Sequence, residues 1–157
     1  MIEVLVAIAF LTLALTPLIL AAIGGRNTSN QARNNLITAD LAQEGLEVIH
    51  AIRDDNWFAS TLLSPVPFDT NLADGTYEVQ WNSTIPQTNQ NRFIKVDANG
   101  IYQYVSGTDT MFKRTITILH VVGGAGIIEL KVTSQVSWTD RGQPRSISVE
   151  NHLFNWN

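Results

Sequence analysis

Few residues in this chain have the type and spacing to do chemistry, and the first of them is Glu3. It stands alone in MIEVLVAIAFLTLALTPLILAAIGG, ahead of an uncharged run from Val4 to Gly25. Membrane anchors ordinarily open on Lys or Arg, whose long side chains reach back to water. A carboxylate at the mouth of an apolar segment is costly unless it meets a positive partner, so it marks a site. The chemistry it offers is ion pairing.

Other candidates carry less. His50, His120 and His152 lie far apart, with no HExxH and no short His–His spacing that would hold a metal. Asp97-Ala98-Asn99-Gly100 opens like a calcium loop, but Thr108 stands where the closing Glu belongs, so these four residues read as a turn. Gly123-Gly124-Ala125-Gly126 lacks the Lys-Ser/Thr of a phosphate loop and reads as a hairpin turn. Asn27-Thr28-Ser29 and Asn82-Ser83-Thr84 are glycosylation sequons, and Trp57, Trp81, Trp138 and Trp156 suit core or interface anchors. No nucleophile–base arrangement is visible, no cofactor is implied, and the chain does not read as an enzyme. With no cysteine there is neither a disulfide framework nor a thiolate. The net charge of −4 speaks against a nucleic-acid surface.

The elements that must position Glu3 follow from patterning. As a helix, Val4–Gly25 is about 33 Å long, close to the bilayer's hydrocarbon thickness. Residues 1–25 therefore read as a membrane-spanning helix, with Arg26 at its far edge. Pro17 removes a backbone hydrogen bond and is expected to kink or break that helix, and Gly24 and Gly25 weaken it further. Over 26–56 the pattern is amphipathic: Ile37, Leu41, Gly45, Val48, Ile49 and Ile52 share a stripe, with Asp40, Glu44 and Glu47 elsewhere. Residues 57–76, with Pro65, Pro67 and Asp74-Gly75, read as a loop. Residues 77–157 carry strand candidates at Tyr77–Trp81, Phe93–Val96, Ile101–Val105, Arg114–Val122, Ile127–Trp138 and Arg145–Phe154. The expected fold is α+β: a long N-terminal helix packed on one antiparallel sheet.

The opening MIEVLVAIAF resembles the N-terminal signature of type IV pilins and type II secretion pseudopilins. In that family a leader peptidase exposes an apolar residue, a glutamate and an unbroken hydrophobic helix, and the new N-terminus is methylated. Ile2, Glu3, Val4, Leu5, Val6 and Ala7 match it. Pro17 resembles the family's helix-breaking proline, and Gly24-Gly25 the segment that melts on assembly. Ala42–Trp57 and Val132–Trp156 further resemble minor pilins of the PilV type.

The resemblance implies the pilin fold and a helical homopolymer in which Glu3 pairs with a neighbour's N-terminal amine. It implies a prepilin peptidase and an inner-membrane assembly platform as partners, storage in the cytoplasmic membrane, and a cell-surface filament. Some pseudopilins bind calcium, and Asp109 and Asp140 are the candidates for that here. The family's glutamate is fifth in the mature chain and here it is third. Two residues and a leader are thus expected before Met1, which is then not the methylated residue.

Three functions compete on this evidence: a structural pilus subunit, a pseudopilin or minor pilin of a secretion or DNA-uptake machine, and a single-span anchor carrying a ligand-binding β-domain. Glu3 separates the last from the others, because a plain anchor has no use for it.

Overall fold

The computed structural model describes residues 2–60, 64–124 and 126–155. One helix, α1 (Ile2–Ala59), precedes strands β1 (Gly75–Glu78), β2 (Gln87–Thr88), β3 (Lys95–Val96), β4 (Tyr102–Gln103), β5 (Thr108–Asp109), β6 (Lys113–Gly123), β7 (Gly126–Asp140) and β8 (Gln143–Phe154). The class is α+β, a long apolar-headed helix packed on antiparallel sheet, as the patterning predicts. Where one sheet is expected there are two: a five-stranded sheet in the order β2-β1-β6-β7-β8 and a three-stranded sheet in the order β4-β3-β5. The chain divides into two compact units, one up to Leu36 and one from Ile37 onward.

In the first unit every side chain from Ile2 to Arg26 is exposed. The helix runs through Pro17 without a break. Pro17 has no N–H to give the Leu13 carbonyl one turn back. Nearby hydroxyls turn inward: Thr12 Oγ1 donates to the Ala9 carbonyl and Thr16 Oγ1 to the Thr12 carbonyl, each at 2.9 Å. Such back-bonding leaves a helix intact but weakens it locally.

In the second unit, α1 buries Thr38, Leu41, Ala42, Gly45, Leu46, Val48, Ile49 and Ile52, positions that recur at three- and four-residue spacing. Ile37, the remaining member of the expected stripe, packs half-buried beside Leu41. The facing sheet obeys a period of two. Leu130, Val132, Ser134, Val136 and Trp138 of β7 are all buried, as are Arg114, Ile116 and Ile118 of β6. One core cluster joins Val48, Ile49 and Ile52 to Ile116, Ile118, Leu130 and Leu153. A second joins Leu41 and Ala42 to Ile94, Tyr104, Phe112, Val136 and Trp138, which brings the three-stranded sheet into the core. A wholly buried Ile such as Ile49 contributes about 1.5–3 kcal/mol.

Gly45 sets the closeness of helix and sheet. A Cβ there would lie 2.6 Å from Ser134 Oγ and 2.7 Å from Ile116 Cδ1. The helix runs to Ala59 because Asn56, a turn former by type, is held in place. Its Nδ2 donates to the carbonyls of Phe68 (3.1 Å) and Thr70 (2.8 Å). The turn expected at Asp97–Gly100 joins β3 to β4, pairing Val96 with Tyr102. At the β7–β8 hairpin Asp140 pairs with Gln143, and Arg141 (φ 52°) and Gly142 (φ 77°) are both left-handed, as a tight two-residue turn requires.

Candidate functional site

Ile2, Glu3, Val4 and Leu5 form the first turn of α1, with Ile2, Val4 and Leu5 at 76%, 62% and 67% exposure. An acid in a first turn also complements the helix dipole. Pro17 follows about 21 Å along the axis and Gly24 and Gly25 about 32–33 Å along it, at roughly 1.5 Å per residue. The seven expected site residues therefore form a line along one helix. They are not gathered into a pocket, and the line is an exposed surface along one helix.

That surface is apolar on all sides. Its most apolar stretch has a mean hydropathy of 2.6, and none of it is buried within the chain. A helix hydrophobic all round belongs in a membrane or in a core supplied by something else. Length and composition are compatible with membrane association. A Cβ added at Gly24 or Gly25 would meet nothing within 4 Å. Neither glycine is needed for packing within the chain, so their effect is on the helix itself: each costs about 1 kcal/mol relative to Ala.

The histidines lie elsewhere, each in its own polar cluster. His120 on β6 is clamped by Asp74 at Nδ1 (2.5 Å) and Asp69 at Nε2 (3.3 Å), which staples the segment before β1 to the sheet. That contact holds the Asp74 carboxyl below its ordinary range. His152 on β8 meets Glu129 at Nδ1 and Glu150 at Nε2, the latter at 3.1 Å. Glu129 first, then Glu150, raises the His152 pKa, while Lys131 above all lowers that of Glu150. His50 differs: Asn151 Nδ2 lies 2.7 Å from its Nε2 and Arg53 Nη2 lies 3.4 Å from its Nδ1. Burial, then Arg53, lowers its pKa.

Among the described residues no three His, Asp or Glu side chains converge as a metal site. Asp109 lies on β5 of the small sheet and Asp140 at the end of β7 in the large one. Asp97 spends Oδ1 on its own turn, accepting from the main-chain N–H of Asn99 (2.8 Å) and Ile101 (2.9 Å).

Two buried charges have no counterpart among the residues singled out by sequence. Glu78 at the end of β1 and Arg114 on β6 are 1% and 2% exposed. Arg114 had a readable signal, since it shares the inward parity of Ile116 and Ile118. Glu78 had none, because its partner Arg92 comes from a loop. No known protein family, curated protein or solved structure matches the chain.

Proposed function

We propose that this chain is a structural subunit of a type IV pilus-like filament. Its α1 polymerises through its apolar start, residues 2–25, with Glu3 pairing the N-terminal amine of a neighbouring subunit. The observation that carries this reading is the helix surface from Ile2 to Gly25, exposed and apolar on every side and headed by a lone carboxylate. Lipid covers that surface while the subunit is stored in the cytoplasmic membrane. On leaving the membrane only other such helices can cover it, and a bundle of them is a filament core. Apolar packing is non-directional, whereas an ion pair in low dielectric is strong and costly to leave unmade. Glu3 thus fixes the axial register that the greasy helices do not.

A prepilin peptidase and an inner-membrane assembly platform are the partners this route requires. The head displays surface outside the cell and performs no catalysis. Its segments Ala42–Trp57 and Val132–Trp156 suit a minor subunit as well as a major one.

Replacement of Glu3 by Ala tests the reading. The variant is expected in the membrane fraction at normal level, with surface filaments lost in electron micrographs of sheared cells. Filaments of normal number and length would refute it, and a plain membrane anchor would behave that way. Quantifying the protein by mass in wild-type filaments then separates a major subunit from a pseudopilin or tip protein.

A further inference from the structure

The turn after β1 and the end of β4 enclose a polar cleft of about 600 Å³. Past Glu78 the chain turns at Gln80–Ser83. The Gln80 N–H donates to Ser83 Oγ and the Ser83 N–H to the Gln80 carbonyl, both at 2.9 Å. The Gln80 side chain is held at both ends. Its Nε2 donates to Asn82 Oδ1 at 2.8 Å, and its Oε1 accepts the Tyr104 main-chain N–H at 2.9 Å. The second bond ties the end of the small sheet to this turn, so both walls are fixed before any ligand arrives.

The floor is an ion pair. Buried Glu78 accepts the main-chain N–H groups of Gln90 and Arg92 at Oε1, each at 3.0 Å, and Arg92 Nε at Oε2, at 2.7 Å. The Arg92 guanidinium also lies 4.9 Å over the Tyr104 ring. It is thereby fixed along one edge by the carboxylate and on one face by the ring, yet its side chain remains 42% exposed. Its terminal nitrogens are the donors left for a ligand.

These two are the charged side chains of the lining, and they cancel. Around them stand the exposed carboxamides of Asn82, Gln87 and Gln90, with exposed Ile85 and Val105 beside them. A carboxamide donates and accepts, which matches a hydroxyl that does both. An anion gains little where Glu78 already neutralises Arg92, and an apolar ligand would strand the amides unpaired. A sugar ring satisfies both demands, placing hydroxyls on the amides and its C–H face on Ile85 and Val105.

We infer that this cleft binds a neutral saccharide unit. The inference concerns the head alone and stands independently of how α1 assembles.

The test is a titration of the ¹⁵N-labelled full chain in micelles of a phosphocholine-headed detergent, which carries no sugar. The neutral probes are lactose, maltose and diacetylchitobiose. The controls are an unsaturated hyaluronan disaccharide, which is acidic, and a capped dialanine without hydroxyls. At least one neutral disaccharide should shift the side-chain resonances of Asn82, Gln87, Gln90 and Arg92 saturably, with a Kd of about 10 mM or tighter, and both controls should bind more weakly. Removing Arg92 would uncover buried Glu78 and risk the fold, so the informative variant is the exposed Gln87→Ala. It should keep the native spectrum and weaken binding about fivefold or more. The inference is overturned if no neutral disaccharide shifts the cleft by about 50 mM, if either control binds as tightly, or if Gln87→Ala leaves the affinity unchanged.

Discussion

Arg114 on β6 donates through Nη1 to the main-chain oxygen of Leu41 at 2.7 Å and to the Glu44 carboxylate at 3.0 Å, both on α1. Its Nη2 donates to the Val79 carbonyl, just past β1. One buried cation therefore joins the helix, the centre of the large sheet and, through Val79, the lining of the polar cleft. Taking a guanidinium out of water costs several kcal/mol, which good hydrogen bonds offset but do not reverse. What the contact adds is a fixed helix register on the sheet, because an apolar stripe slides where a three-acceptor fork does not.

Arg114→Met should therefore destabilise the head by about 2–4 kcal/mol, since it orphans the buried Val79 carbonyl and leaves a poorly filled site. Glu44→Gln should cost less than about 1 kcal/mol, because the amide oxygen still accepts and Glu44 is 31% exposed to water. Urea midpoints of the two variants decide the matter, and equal losses would refute the ranking.

Gly45 and the pair Gly24-Gly25 should respond oppositely to alanine. At all three sites the helix gains about 1 kcal/mol in propensity. At Gly45 the new Cβ meets Ser134 Oγ at 2.6 Å, Ile116 Cδ1 at 2.7 Å and Arg114 Cδ at 3.0 Å, and overpacking of that kind costs about 1–3 kcal/mol. The clash wins, so Gly45→Ala lowers the melting temperature. At Gly24 and Gly25 the space is open and the propensity gain stands. If Pro17–Gly25 unwinds on assembly, the double Gly24→Ala, Gly25→Ala variant strengthens the stored helix and reduces filament number. A filament map with unbroken i→i−4 bonding from Ala14 to Arg26 would show that no unwinding occurs.

The histidines predict opposite titrations. The His152 pKa is raised by Glu129 and Glu150, so its contribution to stability is complete below the ordinary histidine value and is lost as pH rises through the raised one. The His50 pKa is lowered by burial and by Arg53, so folding favours its neutral form. That contribution is complete above the ordinary value and declines as pH falls toward the lowered one. A two-dimensional NMR titration should place His50 below an ordinary histidine and His152 above it, and the reverse order would contradict the contacts described here.

The sequence was legible where periodicity is long. The stripe Leu41–Ile52 and the alternations in β6, β7 and β8 each repeat often enough to declare a face, and Asp97–Gly100 and the Arg141-Gly142 turn carry their own turn chemistry. The two-residue strands β2 and β5 were not legible, because two residues cannot show a period of two. Missing β5 concealed the second sheet, since β3 and β4 alone read as a hairpin of the first. That Glu3, Pro17, Gly24 and Gly25 share one helix could be read directly from the apolar run. The Glu78–Arg92 floor could not, because a pair made across an irregular loop leaves no spacing to recognise.

The last prediction separates the two parts of the chain. No described residue before Thr38 is buried, so the core starts well beyond the apolar segment. A chain beginning at Asn27 loses the apolar run but keeps the whole buried stripe, both sheets and Arg114 with its acceptors. It is expected to be soluble, monomeric and cooperatively folded. It should also be unable to polymerise, because about twenty apolar residues per subunit no longer need cover. The longest edge strand left to pair with another chain is β8, since the other edges, β2, β4 and β5, are two residues each. Pro144, Arg145 and Glu150 lie along it, and proline and charge are what keep edges from pairing with other chains. Analytical ultracentrifugation and electron microscopy read the outcome. Regular filaments from the truncated chain would make the sheet the polymerising element and overturn the pilin-like reading.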